Sequence, residues 1–176
     1  MFKAICRRMM VSGVLLVLVG CASISEEECL QGNWLDIGQR DGQAGKASSY
    51  ILEHAEACKD VGVQPDRETW ERGRQDGLRA YCTPSNMYDL GRSGRSAALV
   101  CSPDESVELK SANDRGLTYY RLTTEIIRKN SEITDLQEQL VEENDEALRR
   151  VYLANIQRLE ESVRLLEFRR TIEGVL

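Results

Sequence analysis

Six cysteines and a single histidine are the side chains of this sequence that we consider first for covalent or metal chemistry. One of them, Cys21, completes the pattern Leu18–Cys21, which resembles a bacterial lipobox. Basic residues and then an apolar run at 11–19 precede it, an order typical of a signal peptide. The run is about ten residues long, whereas a helix needs roughly 20 to span a bilayer. The sequence therefore predicts a signal peptide over 1–20 and lipidation of Cys21. The alternative is an ordinary signal peptide that happens to be followed by a cysteine.

The residue after the lipidation site bears on localisation. It is Ala22, whereas an Asp at this position commonly retains lipoproteins of Gram-negative bacteria in the inner membrane. By this comparison with lipoproteins as a class, we expect a lipid-anchored protein of the outer membrane that faces the periplasm. Residues 21–28 would form a short, acidic, lipidated tether.

The charge of the chain limits its partners. It has 29 acidic and 23 basic residues, and three of the basic ones lie in the predicted signal peptide. Such an acidic chain is a poor candidate for binding nucleic acid or anionic lipid by charge. We expect no nucleic-acid partner, and membrane contact through the lipid anchor alone.

The four cysteines that remain after the signal peptide and Cys21 are set aside predict two disulfides, because their number is even and the segment is exported. Three pairings are open, and we favour the nearest-neighbour one, Cys29 with Cys58 and Cys82 with Cys101. These cysteines all lie in the first half of the mature chain. They divide it into a cysteine-stapled module and a charged tail, at residues 29–101 and 102–176.

The module is short of large apolar residues, and a core of that size needs disulfides to be stable. Helix-start signals occur at Pro65-Asp66 and at Thr83-Pro84, and a serine at 48 or 49 could cap another helix. The module is therefore predicted to consist of several short helices.

The module also contains a repeat, Gly-x-x-Asp-Gly, which follows a tryptophan in both of its clear copies. Glycines three or four residues apart share one face of a helix, where another backbone can approach closely. We interpret these faces as helix-packing surfaces covered by aromatic rings, and glycines in turns with positive φ as the open alternative. The predicted faces are Gly38, Gly42 and Gly45; Gly73, Gly77 and Ala80; and Gly91, Gly94 and Ala98.

A second interpretation of the repeat is a polar surface that binds a partner or a glycan. Its members would be Trp34, Arg40, Asp41, Trp70, Arg74 and Asp76. We favour the packing interpretation over this one.

His54 is the candidate for metal or acid–base chemistry. Its spacing from Cys58, i to i+4, would allow both to ligate zinc from one helix. One histidine, no Cys-x-x-Cys motif and an oxidising compartment argue against this. A catalytic pair with Ser93 has less support still, since the sequence lacks the known nucleophile, phosphate-loop and zinc-protease motifs. We expect no cofactor, no metal and no catalytic residue, and His54 as a half-buried helix residue.

Several short segments of the module together carry a resemblance to a known family. They are Cys29-Leu-Gln-Gly-Asn-Trp34, Gly38-x-x-Asp41-Gly42, His54-x-x-x-Cys58, Pro65-Asp66, Gly73-Arg74-x-x-Gly77-Leu78, Tyr81-Cys82, Asn86-x-Tyr88 and Gly91-x-x-Gly94. From Cys29 to Cys101 the chain resembles the bacterial lipoproteins of domain-of-unknown-function family 2799. The family has no established activity, so the resemblance implies no reaction and no ligand.

The tail is predicted to start a helix at Ser102-Pro103 and to form a coiled coil in two stretches that differ in phase. The apolar positions are Leu122, Ile126, Ile133, Leu136 and Leu140, then Leu148, Tyr152, Ile156, Leu159, Val163 and Leu166. One long helix or a hairpin that turns near Asn144 would both fit. We favour the long helix, since no Gly or Pro marks a bend.

The predicted fold class is thus mainly α: a small disulfide-stapled helical module followed by a long coiled-coil-like helix or a helical hairpin. We expect a non-enzymatic outer-membrane lipoprotein that acts as an interaction or scaffold protein in the periplasm. Its tail would bind another envelope protein or a second copy. The alternative is a periplasmic module that binds a cell-wall or other envelope ligand through the polar surface.

Overall fold

The computed structural model describes residues 23–104 and 106–175, and every regular element among them is helical. The predicted signal peptide and Cys21 lie outside the described residues. These described residues form seven α-helices, and short 3-10 turns at Ser48–Tyr50 and Lys59–Val61 flank the third. They are α1 (Glu26–Gln31), α2 (Trp34–Gln43), α3 (Ile51–Ala57), α4 (Arg67–Tyr81), α5 (Pro84–Arg92), α6 (Ser106–Glu142) and α7 (Glu146–Val175). The predicted fold class is confirmed. Among the described residues, no helix combines the length and the apolar character that a membrane span requires.

Side-chain caps start most of the short helices. The Asp66 carboxylate accepts the N–H of Thr69 at the start of α4, and the Thr83 hydroxyl accepts the N–H of Asn86 at the start of α5. The helix start predicted at Ser102-Pro103 is too early, because α6 begins at Ser106. The acidic tether is largely ordered, since Ser25 and Glu28 form a capping box for α1.

Both predicted disulfide pairings are confirmed. Cys29–Cys58 joins α1 to the end of α3, and Cys82–Cys101 joins the end of α4 to the segment before α6. Cys29 and Cys58 are fully buried, beside Trp34 and Trp70 in one core cluster. The first disulfide therefore lies inside the core that the short helices share.

The two clear copies of the glycine repeat pack against each other, α2 on α4, with backbone touching backbone. A methyl group on Gly38 would collide with the carbonyl oxygen of Trp70, and one on Gly77 with the carbonyl oxygen of Gln39. The other glycine of each copy, Gly42 or Gly73, is placed in the same way. The packing interpretation is confirmed for these four glycines.

The third predicted glycine face, that of α5, packs on a helix of the predicted tail. Gly91 of α5 lies on Gly116 of α6: a methyl group on the first would collide with the carbonyl oxygen of Asn113, and one on the second with that of Tyr88. Packing therefore continues across Ser102, and the beginning of α6 completes the core of the module.

The outer members of the predicted glycine faces lie elsewhere. Gly45 and Gly94 follow the ends of α2 and α5 with φ of 70° and 77°, so they are the turn glycines of the alternative interpretation. Ala80 and Ala98 are exposed. Each packing face thus consists of fewer residues than the spacing suggested.

The rest of the tail is an antiparallel hairpin of α6 and α7, so the single long helix that we favoured is wrong. The two apolar stretches face each other, and their buried residues are Leu122, Ile126, Ile133, Ile156, Val163 and Leu166. At its base the hairpin is tied to α5 by the Tyr88 hydroxyl, which donates to the carbonyl of Glu173 over 2.9 Å.

The turn of the hairpin is closed by side chains instead of glycine. The Asp145 carboxylate accepts the N–H of Ala147 over 2.7 Å and so begins α7. The guanidinium of Arg149 donates to the carbonyl oxygens of Leu140 and Glu143, at 2.6 and 2.9 Å, and so satisfies the end of α6.

Candidate functional site

His54 lies on helix α3, as predicted, but it is fully buried rather than half-buried and is the centre of a polar network. Its imidazole is fully buried, with Nδ1 2.8 Å from the Ser23 hydroxyl and Nε2 2.7 Å from an Asp41 carboxylate oxygen. The indole N–H of Trp70 donates to the same oxygen over 2.8 Å. The network joins the N-terminal segment, α2, α3 and α4.

The protons of this network follow from its chemistry. An ionised carboxylate can only accept, so Nε2 of His54 carries a proton and, in the neutral ring, Nδ1 accepts the hydroxyl proton of Ser23. A serine, a histidine and an aspartate in series resemble a hydrolase triad, but there the serine faces Nε2 and the aspartate Nδ1. The rings of Tyr50 and Trp70 pack edge-on against the imidazole, with centroids 5.1 and 6.2 Å away. The fully buried ring has no face open to a substrate, and the arrangement is suited to holding four segments together.

Two other chemical roles were weighed for His54, zinc ligation with Cys58 and catalysis with Ser93. In neither case is the second residue available to it. Cys58 cannot supply a thiolate to zinc, because its sulfur is bonded to Cys29. No cluster of three or more potential metal ligands occurs within the described ranges. The Ser93 hydroxyl donates to the carbonyl of Leu90 over 2.7 Å at the end of α5, and it is not a hydrogen-bond partner of His54.

The six residues of the predicted polar surface do not share an exposed face. Trp34, Trp70 and Arg74 are buried, and Asp41 is enclosed in the network around His54. The physical reason is that the two repeats pack on each other, which turns most of these side chains inward.

The remaining two members are exposed and are paired with neighbours. Arg40 forms an ion pair with Glu28, and Asp76 forms one with Arg79 at 2.9 Å on the next turn of α4. Asp41 and Asp76 thus occupy the same position of the repeat but opposite environments.

Arg74 is a structural tie instead of a ligand contact. Its guanidinium donates twice to the Glu71 carboxylate, at 2.8 and 2.7 Å, and once to the carbonyl of Lys46 at 3.0 Å. The hydrogen bonds from Arg74 hold the pKa of Glu71 below its ordinary value of 4.5. The buried guanidinium therefore fixes the loop after α2 onto α4.

Asn113 of α6 is a buried residue that the sequence analysis missed. Its side-chain oxygen accepts the N–H of Ala97, and its amide nitrogen donates to the carbonyls of Met87 and Arg95, all at 3.0 Å. It holds the segment between α5 and α6 in place. The sequence could have indicated this role, because Asn113 is a polar residue one helical turn before the packing glycine Gly116.

A cleft of about 320 Å³ opens beside Asn113, between residues 96–101 and the start of α6. Its walls are mostly apolar, and at its rim Lys110 and Asp114 pair with each other at 2.5 Å. The side-chain amide of Asn113 is hydrogen-bonded to backbone groups through both its oxygen and its nitrogen, so it is not free to orient a ligand.

A family model described as "Protein of unknown function (DUF2799)" matches residues 33–118. This segment, a little under half of the chain, is similar to the DUF2799 family. The matched segment contains both close helix contacts made by glycines, α2 on α4 and α5 on α6, since it begins just before α2 and ends two residues after Gly116. No curated protein and no solved structure matches the chain.

Outside the DUF2799 segment, the outer side of the hairpin exposes large apolar side chains. On α7, Val151, Leu165 and Phe168 are 52%, 62% and 67% exposed, although they lie within a well-formed helix. Large exposed apolar side chains that share one face of a helix are candidates for a site of association. This face of α7 is the second candidate site of the molecule.

Proposed function

We propose that this protein is a non-enzymatic lipoprotein of the outer membrane, facing the periplasm, that acts as an interaction or scaffold protein through its helical hairpin. The observation that carries the proposal is the row of exposed apolar side chains on the outer face of α7. A hairpin already buries its own apolar stripe, so a second exposed stripe is not needed for folding.

The form of the hairpin supports a role in binding. From Leu122 onward, the core residues of α6 pack on α7. The arm from residue 122 to the turn is about 30 Å long at 1.5 Å per residue. An arm of this length presents its outer face beyond the module, where another molecule can reach it.

Two observations support the lipoprotein part of the proposal. The sequence pattern before Cys21 is that of a lipoprotein signal. The two disulfides are typical of a compartment outside the reducing cytoplasm. Replacement of Cys21 by Ser should release the protein from the membrane fraction, and a variant that stays in that fraction would contradict lipid anchoring.

The non-enzymatic part is supported by the burial of His54 and by the use of its partners as structural ties. The alternative function, a ligand-binding surface on the module, loses its support because Trp34, Trp70 and Arg74 are buried.

Site-specific photo-crosslinking in cells tests the role of the hairpin. A photoreactive residue is placed at Leu165, and a matched control at Leu52 of α3, which is 65% exposed but lies on the module. We expect a discrete product of higher mass from Leu165 and none from Leu52. Equal, diffuse products from both positions, or no product from Leu165, would contradict the proposal.

A further inference from the structure

The outer face of α7 has a regular sequence pattern. Eight exposed residues follow one another at alternating spacings of four and three, the spacing of a coiled-coil seam. Six are apolar, and the two charged ones lie at the centre. They are Ala147, Val151, Ala154, Arg158, Glu161, Leu165, Phe168 and Ile172.

This outer seam is separate from the hairpin core. Ile156 and Val163 of α7 are buried against α6, and at about 100° per residue they lie on the side of α7 opposite the outer seam. Helix α7 therefore has two apolar stripes, of which the hairpin covers one. The outer seam extends over about 38 Å of helix.

The intervals between the outer-seam residues read the same from either end of the helix. Two antiparallel copies of α7 can therefore place every seam residue opposite another seam residue. In that register every small residue meets a large one, and the two central charges meet their opposites. The facing pairs are Ala147 with Ile172, Val151 with Phe168, Ala154 with Leu165, and Arg158 with Glu161.

The central charges decide between two orientations. In a parallel pair, residues at the same position face each other, so Arg158 would meet Arg158 and Glu161 would meet Glu161. In the antiparallel pair, a two-fold axis between these residues makes two opposite-charge contacts. Neither side chain forms an ion pair within the described parts of the chain.

We infer that the outer seam of α7 binds a second copy of this chain, antiparallel, about a two-fold axis between Arg158 and Glu161. The inference rests on the proposed role of the hairpin in association, and it names the partner and the register.

Charge variants of the full-length chain test the register, with self-association measured by sedimentation in detergent. Glu161→Arg should weaken the dimer roughly tenfold, because it turns two attractive contacts into repulsive ones. The control Glu160→Arg makes the same change one residue away, off the seam, and should leave Kd unchanged. The exchange Arg158→Glu with Glu161→Arg should restore wild-type Kd. Equal Kd values for Glu161→Arg and Glu160→Arg would overturn the antiparallel register.

Photo-crosslinking from Val151 in cells separates this inference from the proposed function. The expected product joins Val151 of one copy to the peptide that contains Phe168 of another. These positions are about 25 Å apart along one helix, so the product must be intermolecular. A Val151–Val151 product would overturn the antiparallel arrangement. A product with a different protein would overturn the second copy as partner and leave the proposed function standing. Monomer alone, from both Val151 and Leu165, would overturn both.

Discussion

Asp41→Ala should destabilise the fold far more than the matched change Asp76→Ala, although both aspartates hold the same position in the Gly-x-x-Asp-Gly repeat. Asp41 accepts hydrogen bonds from Trp70 and His54, two side chains that are fully buried. Asp76 has a half-exposed side chain, and its partner Arg79 is almost entirely in solvent.

The magnitude follows from the donors that lose their acceptor. A buried donor left unpaired costs about 1–3 kcal/mol, so two of them set an upper limit near 6 kcal/mol. His54 can relieve one loss by moving its proton to Nδ1 and donating to the Ser23 hydroxyl, whose oxygen is 2.8 Å away. We therefore expect Asp41→Ala to cost about 2–4 kcal/mol. An exposed ion pair such as that of Asp76 is worth about 0–1 kcal/mol.

Urea unfolding of the oxidised chain, followed by tryptophan fluorescence, measures this difference, because Trp34 and Trp70 are both buried. The transition midpoint should fall for Asp41→Ala with an unchanged slope. Asp41→Asn keeps an acceptor oxygen and should fall between wild type and Asp41→Ala. Unfolding free energies for Asp41→Ala and Asp76→Ala that agree within about 0.5 kcal/mol would refute the argument.

Three further predictions concern packing, pH and the first disulfide. Gly77→Ala should lower the unfolding free energy by about 1–3 kcal/mol, because its methyl group meets helix backbone. The control Gly174→Ala should not lower it, because the added methyl group would lie 3.4 Å from its nearest neighbour, the ring of Tyr119. Thermal unfolding followed by circular dichroism compares the two variants. The pKa of Glu71 is lowered in the folded state, so its stabilisation is present above pH 4.5 and lost as pH falls below that value. Glu71→Gln should therefore reduce the loss of unfolding free energy between pH 7 and pH 3 in urea titrations. Replacing Cys29 and Cys58 by Ala opens a loop of 29 residues and should cost about 3–4 kcal/mol, seen as a lower Tm in calorimetry.

Local chemistry made much of this fold predictable from sequence. Asp66 and Thr83 cap helices because their side chains satisfy N–H groups only three residues away. The glycine repeat predicted close helix packing, because glycine destabilises a helix but lets another backbone approach closely. The cysteines pair with their nearest neighbours in sequence.

The properties that could not be predicted depend on which segments meet in space. Nothing in the repeat itself distinguishes Asp41 from Asp76; the difference arises because His54 packs beside one of them. The hairpin was missed because its turn has no Gly or Pro, yet Asp145 and Arg149 cap the two helices without either. Asn113 was missed because its three partners are 16 to 26 residues away in sequence.

The N-terminal segment is fixed to the core of the module. The side chain of Ile24 is 8% exposed and packs in the first core cluster, and Ser23 is hydrogen-bonded to His54. If Cys21 carries lipid as proposed, one residue separates the acyl-bearing cysteine from Ser23, a span of at most about 7 Å. So short a connection would hold the module close to the headgroups. The height above the bilayer at which the hairpin meets a partner would then be set by the helices, and the protein would act as a spacer of fixed length.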